Sequence, residues 1–172
     1  MQDRKFPIGP FVVQESYTEG ELKQLIKTIE TAPAHYRSLV RNLSESDLEK
    51  TYREGSWTIR QLVHHVADIH LLHFFRMKKA LTEADYKEVT LINMDGWAKT
   101  PDAATAPISD SLEMFDFIGK RYVYLANNLT EEQFSLSYFH PLRQFWIDQK
   151  QALAMSAWHV SHHLAHIKLA LE

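Results

Sequence analysis

Four long segments of the chain carry apolar residues three and four positions apart, the spacing of a helix with one buried face. The pattern predicts helices over about Thr18–Asn42, Ser56–Leu81, Ile108–Asn128 and Gln149–Leu171. Pro33 lies inside the first segment, and we expect a kink or break there because proline lacks a backbone N–H. Together the four helices predict an all-α four-helix bundle.

Short polar motifs indicate where helices begin. In a capping box, a serine or threonine and an acidic residue or glutamine three places later satisfy free backbone N–H groups with their side chains. Ser109 or Asp110 is expected to cap the third long helix. Capping boxes occur at Ser44–Asp47, Thr58–Gln61 and Thr130–Gln133.

Two stretches lack helical periodicity. Glu83–Pro107, between the second and third long helices, contains glycine and proline and predicts a long irregular connection. A connection of that length is uncommon in a compact domain unless it has a role such as lining a site. Leu136–Ile147, centred on Pro141, predicts a short hairpin. The length of 172 residues, without repeat or linker, predicts one domain over residues 1–172.

The composition narrows the class of function. The net charge of -3 gives no basic surplus of the kind that binds nucleic acid, so we expect no nucleic-acid partner. The chain has no cysteine, which excludes disulfides, thiolate ligands and thiol nucleophiles. No stretch approaches the roughly 20 apolar residues that span a bilayer, and the N-terminus has no apolar signal segment. We therefore expect a soluble cytoplasmic protein without a membrane partner.

Histidine is the residue type whose distribution stands out. The chain has 10 histidines. Four of them lie in residues 64–73 and four in residues 159–166, and both groups fall on predicted helices. A single such histidine is best interpreted as a solvated surface residue. Two groups on two long helices favour a metal site instead, because neither helix propensity nor packing explains the clustering.

Helix geometry separates the histidines of the last helix. His159 and His163 lie four residues apart beside the apolar stripe, so both rings point to one place and can bind one ion. His162 and His166 have the same spacing but are rotated by about 60° toward solvent. The position beside the apolar stripe therefore favours His159 and His163 as the ligand pair.

The second long helix offers a third ligand. His65 lies at the edge of its apolar stripe, whereas His64 points the other way and is expected to be exposed. His70 and His73 fall within the stripe, as hydrogen-bonded structural residues or as partners of a ligand. Three nitrogens from two helices would leave one coordination position open, as in catalytic zinc sites. Periodicity alone does not choose between His65 and His70.

Two motifs carry a family resemblance. The run from Gly55 to His70, GSWTIRQLVHHVADIH, and the run from Trp158 to Ile167, WHVSHHLAHI, resemble the second-helix and fourth-helix motifs of the DinB-like superfamily. Within that superfamily they resemble the YfiT-like metal-dependent hydrolases. Shorter matches lie at Pro7-Ile8-Gly9 and His140-Pro141, so the resemblance covers nearly the whole chain.

The resemblance implies a specific site and topology. By its motifs the metal ligands are His65, His159 and His163, with zinc or nickel as the ion. It implies a bundle of up-down-down-up order and a homodimer. All three ligand positions of the motifs are histidines in this sequence, so the ligand set that the resemblance implies is complete.

A three-histidine ion supports two chemistries, which the ligand set does not separate. It can activate water for a hydrolase acting on a small molecule. It can equally hold a low-molecular-weight thiol such as bacillithiol as thiolate, for a thiol S-transferase. A metal-bound structural or sensing domain without turnover is the third alternative.

The remaining site candidates are weaker. Asp68 could orient a ligand or act as a base, or be a solvated acid on the helix face. His140 could reach the site from its loop, or be a surface residue. Trp57, Trp97 and Trp158 could line an apolar pocket, or be packing anchors near helix ends.

Overall fold

The computed structural model describes residues 3–172, which form eight helices and one two-stranded hairpin. Within this range no helix is both long enough and apolar enough to cross a membrane. In chain order the elements are α1 (Glu19–Val40), α2 (Glu45–Leu48), α3 (Ile59–Thr82), α4 (Met94–Trp97), α5 (Pro101–Thr105), α6 (Ile108–Ala126), α7 (Glu131–Ser135), β1 (Ser137–His140), β2 (Phe145–Asp148) and α8 (Gln149–Ala170).

Local capping sets most helix starts. The predicted capping boxes at the starts of α2, α3 and α7 are confirmed, and α1 and α8 begin in the same way. The prediction for α6 is wrong. Its N-cap is Pro107, without a side-chain hydrogen bond, because the helix already begins at Ile108 and takes Ser109 and Asp110 into its first turn.

Of the kink or break expected at Pro33, the break is wrong. α1 runs without interruption from Glu19 to Val40, with Pro33 buried in its middle. The ring packs closely against α6, since a Cβ placed on Gly119 would lie 3.6 Å from Pro33 Cγ. Burial of the ring between two helices offsets the backbone hydrogen bond that proline cannot make.

Two core clusters fix the direction of each long helix. One joins the last half of α1 and of α8 to the first half of α3 and of α6, and the other joins the opposite halves. α1 and α8 therefore run in one direction, and α3 and α6 in the other. This confirms an all-α four-helix bundle of up-down-down-up order. Representative members are Tyr36, Val66, Phe115 and Ile167 in the first cluster, and Ile29, Met77, Tyr122 and Leu153 in the second.

The connections around the bundle are ordered. The predicted hairpin is confirmed, with β1 and β2 paired from Ser137 and Asp148 to His140 and Phe145. The long connection after α3 contains α4 and α5 and docks on this hairpin, where the Phe139 carbonyl accepts from the Val89 N–H at 2.9 Å. These segments form the wall beside the histidines of α3 and α8.

The N-terminal segment lies across the outer side of α8. The Arg4 guanidinium donates to the carbonyls of Tyr52 and Leu169 at 2.5 and 2.7 Å. The Trp158 indole N–H donates to the Gly9 carbonyl at 3.1 Å. α8 is consequently covered on the side that a four-helix bundle alone would leave exposed.

Candidate metal centre

Three histidines from two helices meet beside a cavity. One ring nitrogen each from His65 of α3 and from His159 and His163 of α8 all lie within 4.8 Å of one another. The Nε2 atoms of His65 and His159 are 3.1 Å apart. In a tetrahedral site with zinc–nitrogen bonds of the usual length, neighbouring nitrogens are about 3.3 Å apart. The three donors therefore fit one ion with small ring movements.

The secondary structure brings the rings together. His159 and His163 are one helical turn apart on α8, with ring centroids 4.5 Å apart. α3 packs against α8 and places the His65 ring 5.1 and 4.8 Å from those two rings. Trp57, just before the Thr58 cap of α3, packs on His65 at 4.5 Å and holds its ring in place.

Burial keeps the three rings uncharged at neutral pH. Desolvation, with a smaller contribution from His162, lowers the pKa of His65 to about 3. Desolvation also lowers the pKa of His159 and of His163 well below the usual value, and the neighbouring histidines add to the effect. A neutral imidazole keeps the lone pair that metal binding requires.

A hydrogen-bonded chain orients His163. His166 Nε2 lies 3.2 Å from the Lys5 carbonyl, so this nitrogen carries the proton and donates. Burial lowers the pKa of His166, which leaves its Nδ1 as an acceptor for the Nδ1–H of His163 at 3.3 Å. His163 then keeps its lone pair on Nε2, where it can bind an ion. A partner that fixes the tautomer in this way is typical of metal-binding histidines.

The predicted exposure of His162 and His166 is wrong. Both are buried, and together with His163 they form a second group whose ring nitrogens lie within 4.8 Å. The His162 ring stacks on Trp158 at 4.4 Å, and its buried Nδ1 has no partner among the described residues. The reason is the N-terminal segment, which covers this face of α8.

Of the other histidines of α3, His64 and His70 face α6, and the His73 ring lies 5.7 Å from the ring of His159. His64, predicted to be exposed, is buried, because α6 and the preceding connection cover it. Its ring lies 2.7 Å from Ser111 Oγ and 3.2 Å from the Ala106 carbonyl. His73 bonds to Ser156 Oγ at 2.9 Å, so it does have a structural hydrogen bond.

His70 is buried without polar partners. It is 1% exposed, and neither ring nitrogen has a hydrogen bond among residues 3–172. Its ring makes edge contacts with Phe115 at 4.8 Å and Tyr122 at 5.4 Å, on the α6 side of α3. The structure therefore brings His65, and not His70, to the histidines of α8.

Two cavities meet at His159. The first, of about 380 Å³, is bounded by α3, α8, the hairpin and the long connection. The second, of about 410 Å³, opens between the N-terminal segment and the start of α3 and includes all three histidines. His159 and Trp158 line both, so a small molecule can reach this point from either side.

Some of the weaker site candidates from the sequence line the cavities beside the three histidines, and others lie elsewhere. His140 is buried in the wall of the first cavity, where desolvation and the cations of Arg76 and Arg143 lower its pKa to about 4. Asp68 faces α5 instead, where burial, with a contribution from Asp102, raises its pKa to about 6. Of the tryptophans, Trp57 and Trp158 line the cavities, whereas Trp97 lies on α4 and is 40% exposed.

Sequence reasoning missed two arginines in the cavity walls. Arg76 follows Ile69 by seven residues and His73 by three on the same face of α3, so a charge on a buried face was a readable signal. Arg143 lies in the hairpin turn and lines both cavities. Nothing in its local sequence indicates that position, which depends on how the hairpin packs.

Comparison with known proteins decides the family. The model of the DinB superfamily matches residues 28–167. This chain belongs to the DinB superfamily. A relative from Oceanobacillus iheyensis is 42% identical, and the match covers 98% of this chain and 96% of the relative. A relative from Halalkalibacterium halodurans is 41% identical, with 98% of this chain and 97% of the relative covered. YfiT of Bacillus subtilis is 34% identical, and the match covers 94% of this chain and 90% of YfiT. All three carry the name "Putative metal-dependent hydrolase".

Comparison with solved structures also finds proteins of similar fold. The structure of Bacillus subtilis YfiT, described as a probable metal-dependent hydrolase with an unusual four-helix bundle topology, matches with a TM-score of 0.92 and 33% identity. The match covers 96% of this chain and 94% of that one. A mycothiol-dependent maleylpyruvate isomerase matches with a TM-score of 0.67 and 15% identity, over 85% of this chain and 60% of that one. At that identity only the fold is shared. The relatives support a metal-dependent enzyme of hydrolase kind.

Proposed function

We propose that this DinB-like protein is a metal-dependent hydrolase of a small molecule, with His65, His159 and His163 holding one zinc or nickel ion. The observation that carries the proposal is the convergence of three neutral imidazoles at an accessible cavity. Among residues 3–172, no fourth histidine, aspartate or glutamate has a donor atom within the same group. Such a set leaves a coordination position for a reactant, as catalytic sites do.

The protein's own residues supply the proton chemistry and exclude bulk water. When bound, an ion of this kind supplies Lewis-acid chemistry that activates water for attack. His140 lines the same cavity as His159 and is neutral at pH 7, so a ring nitrogen can accept a hydrogen bond from a reactant, and its low pKa makes it a weak base. Asp68, directed to α5, is the less suitable base. Trp57 and Trp158 give the cavity walls apolar surface that limits hydration.

A thiol S-transferase is the second candidate. The observation that favours it is the fold shared with a mycothiol-dependent isomerase, since a three-histidine ion can hold a thiol as thiolate. Here a low-molecular-weight thiol such as bacillithiol would occupy one cavity and its electrophile the other. A structural or sensing domain without turnover is disfavoured by the same accessibility. We further expect a cytoplasmic homodimer without a nucleic-acid partner.

One experiment separates these functions. The metal-loaded protein is incubated with a panel of esters and amides, and in parallel with an alkyl halide plus cysteine, glutathione or bacillithiol, with products identified by mass spectrometry. We expect cleavage without thioether, and loss of cleavage after chelation and in His159→Ala. His64→Ala, which changes a buried histidine directed to α6, should retain it.

The opposite results are equally clear. A thioether formed only with metal would replace the hydrolase by the transferase. Full metal occupancy with neither product would favour the sensing domain. Cleavage that survives both chelation and His159→Ala would contradict the proposed site.

A further inference from the structure

The residues around the candidate metal centre carry a positive net charge, whereas the net charge of the whole chain is negative. The protein as a whole has 19 lysines and arginines against 22 acidic residues. The described residues that line the two cavities include four cations and one acid, Asp95, while their histidines are largely buried. This concentration of positive charge favours an anionic ligand. The four cations are Lys5, Arg53, Arg76 and Arg143.

Arg76 is a buried cation without a carboxylate partner. Its side chain forms no ion pair among residues 3–172. Nε and Nη2 donate to the Thr90 carbonyl at 3.1 and 2.6 Å, which fixes the plane of the guanidinium. A guanidinium has five N–H donors, so others remain for a ligand in the cavity. An unpaired buried charge is costly, and an anion in the cavity would offset that cost.

Arg143 stands where the two cavities meet. It lies in the turn between β1 and β2, and its backbone N–H donates to the His140 carbonyl at 3.0 Å. Its guanidinium lies over the Phe11 ring at 5.8 Å and, like that of Arg76, forms no ion pair among the described residues. Arg143 therefore adds a second cation to the first cavity from the wall opposite α3.

Apart from three histidines, the rest of the first cavity is apolar. Leu72, Leu91 and Met155 line it beside the two arginines, and Trp158 separates it from the second cavity. A ligand that contacts both the arginines and the apolar residues of this cavity has an anionic group at one end and an apolar body. Its third contact is His159, which places part of the ligand at the candidate metal centre.

We propose that Arg76 and Arg143 bind an anionic group, a carboxylate or a phosphate, of the substrate, whose apolar part lies against Leu72, Leu91 and Met155. The inference rests on the proposed function, because it takes the first cavity as the substrate site. Two arginines suit either anion, since guanidinium donors match both in a two-pronged arrangement. Lys5 and Arg53, at the second cavity, would attract the anion from a distance.

Binding of matched small probes tests the inference. The probes are 4-phenylbutyrate, phenyl phosphate and the uncharged 4-phenylbutanamide, titrated into the full chain at constant ionic strength and followed by calorimetry. Both the metal-loaded and the chelator-treated protein are used. We expect at least one anion to bind about tenfold or more tightly than the amide, the ratio that one charge-assisted hydrogen bond supplies.

The arginine variants locate the anion. Arg76→Gln and Arg143→Gln should each reduce the preference for the anion about tenfold, while Arg37→Gln, an equal charge change at an exposed position of α1, should leave it unchanged. If Arg76→Gln does not fold, Arg143→Glu replaces it. Residue 143 lies in an exposed turn, and the variant should bind both anions more weakly and bind the cation 4-phenylbutylamine more tightly.

The outcomes distinguish this inference from the metal site. Equal binding of anions and amide, or a preference retained in both arginine variants, overturns the inference. A preference that disappears on chelation but survives both variants means that the anion binds the ion, which also overturns it and leaves the metal site intact. A protein that binds no metal but keeps an arginine-dependent preference contradicts the hydrolase while supporting the anion site.

Discussion

The histidines of α8 and those of α3 are equally dense in the sequence but differ in what they contact. On α8 the four rings form one connected group, with centroids 4.2 Å apart for His162 and His166 and 4.5 Å for His159 and His163. On α3 the four are directed to different surroundings: His64 to Ser111, His65 to the α8 group, His70 to Phe115, and His73 to Ser156 and the edge of the His159 ring.

The difference follows from the position of the two helices. α3 packs against α6, α8 and α5, so each of its faces meets another element. α8 has its histidines on the side covered by the N-terminal segment, and the rings have mainly one another as neighbours. Convergence of rings, and not their number or burial, therefore marks the candidate metal centre.

The largest effect should come from removing a ligand. We expect His65→Ala, His159→Ala and His163→Ala each to reduce bound metal from about one ion per chain to near zero, because two imidazoles hold a divalent ion poorly. Inductively coupled plasma mass spectrometry of the purified protein measures this. His64→Ala is the matched control, since His64 is the neighbour of His65 on the same helix and is equally buried.

The same variants decide between the two overlapping groups. If the ion lay among His162, His163 and His166, His65→Ala would keep its metal and His162→Ala would lose it. Full occupancy in both His159→Ala and His163→Ala would remove the site altogether. Circular dichroism of each apo variant shows whether loss of metal reflects the ligand or the fold.

A smaller effect is expected at the partner of a ligand. His166→Ala removes the group that accepts the Nδ1–H of His163, so the ring of His163 loses its fixed tautomer. We expect the affinity for zinc to fall about 10- to 100-fold while the stoichiometry stays at about one ion per chain. Competition with a chelating dye measures the affinity without any assay of turnover.

His166→Gln sharpens this test. An amide can accept from His163 through its oxygen and donate through its nitrogen, so this variant should recover part of the lost affinity. A purely structural role of His166, which stacks on Tyr52 at 3.8 Å, predicts equal losses in both variants. Unchanged affinity in His166→Ala would show that the tautomer of His163 is set by another group.

The fold could be predicted largely from local signals. The capping boxes of α2, α3 and α7 depend on residues three places apart, and their positions were confirmed. The break at Pro33 was wrong because a long-range contact with α6 overrides the local preference. The exposure of His64, His162 and His166 was wrong for a related reason: one apolar stripe describes a helix with one covered face, and both α3 and α8 are covered on several.

The candidate site shows the same division. An i, i+4 pair of histidines on α8 is a local feature that the spacing predicts, but His162 and His166 share that spacing, and the packing of α3 is what brings a third ring to His159 and His163. The choice of His65 over His70 depends on which face of α3 meets α8, and periodicity alone left it open. Arg143 reaches the cavities only through the hairpin, so its position is a tertiary feature that no local pattern encodes.

The smallest predicted effect concerns the isolated histidine of α3. Desolvation lowers the pKa of His70 to about 3, whereas in the unfolded chain it is near 6.5. Between these values the unfolded state binds more protons, so the free energy of unfolding falls as the pH drops below 6.5. The slope for one such group is at most about 1.4 kcal/mol per pH unit, and the effect is absent above about pH 7.

Urea denaturation of the chelator-treated protein at pH 7.5 and 5.5 tests this contribution. The other buried histidines add their own dependence, so the informative quantity is the difference between wild type and His70→Leu. We expect the free energy of unfolding of this variant to fall by about 1 kcal/mol less than that of wild type over this interval. An equal loss in His70→Leu would mean that His70 gains a partner in solution, and that its isolation between Phe115 and Tyr122 does not govern its protonation.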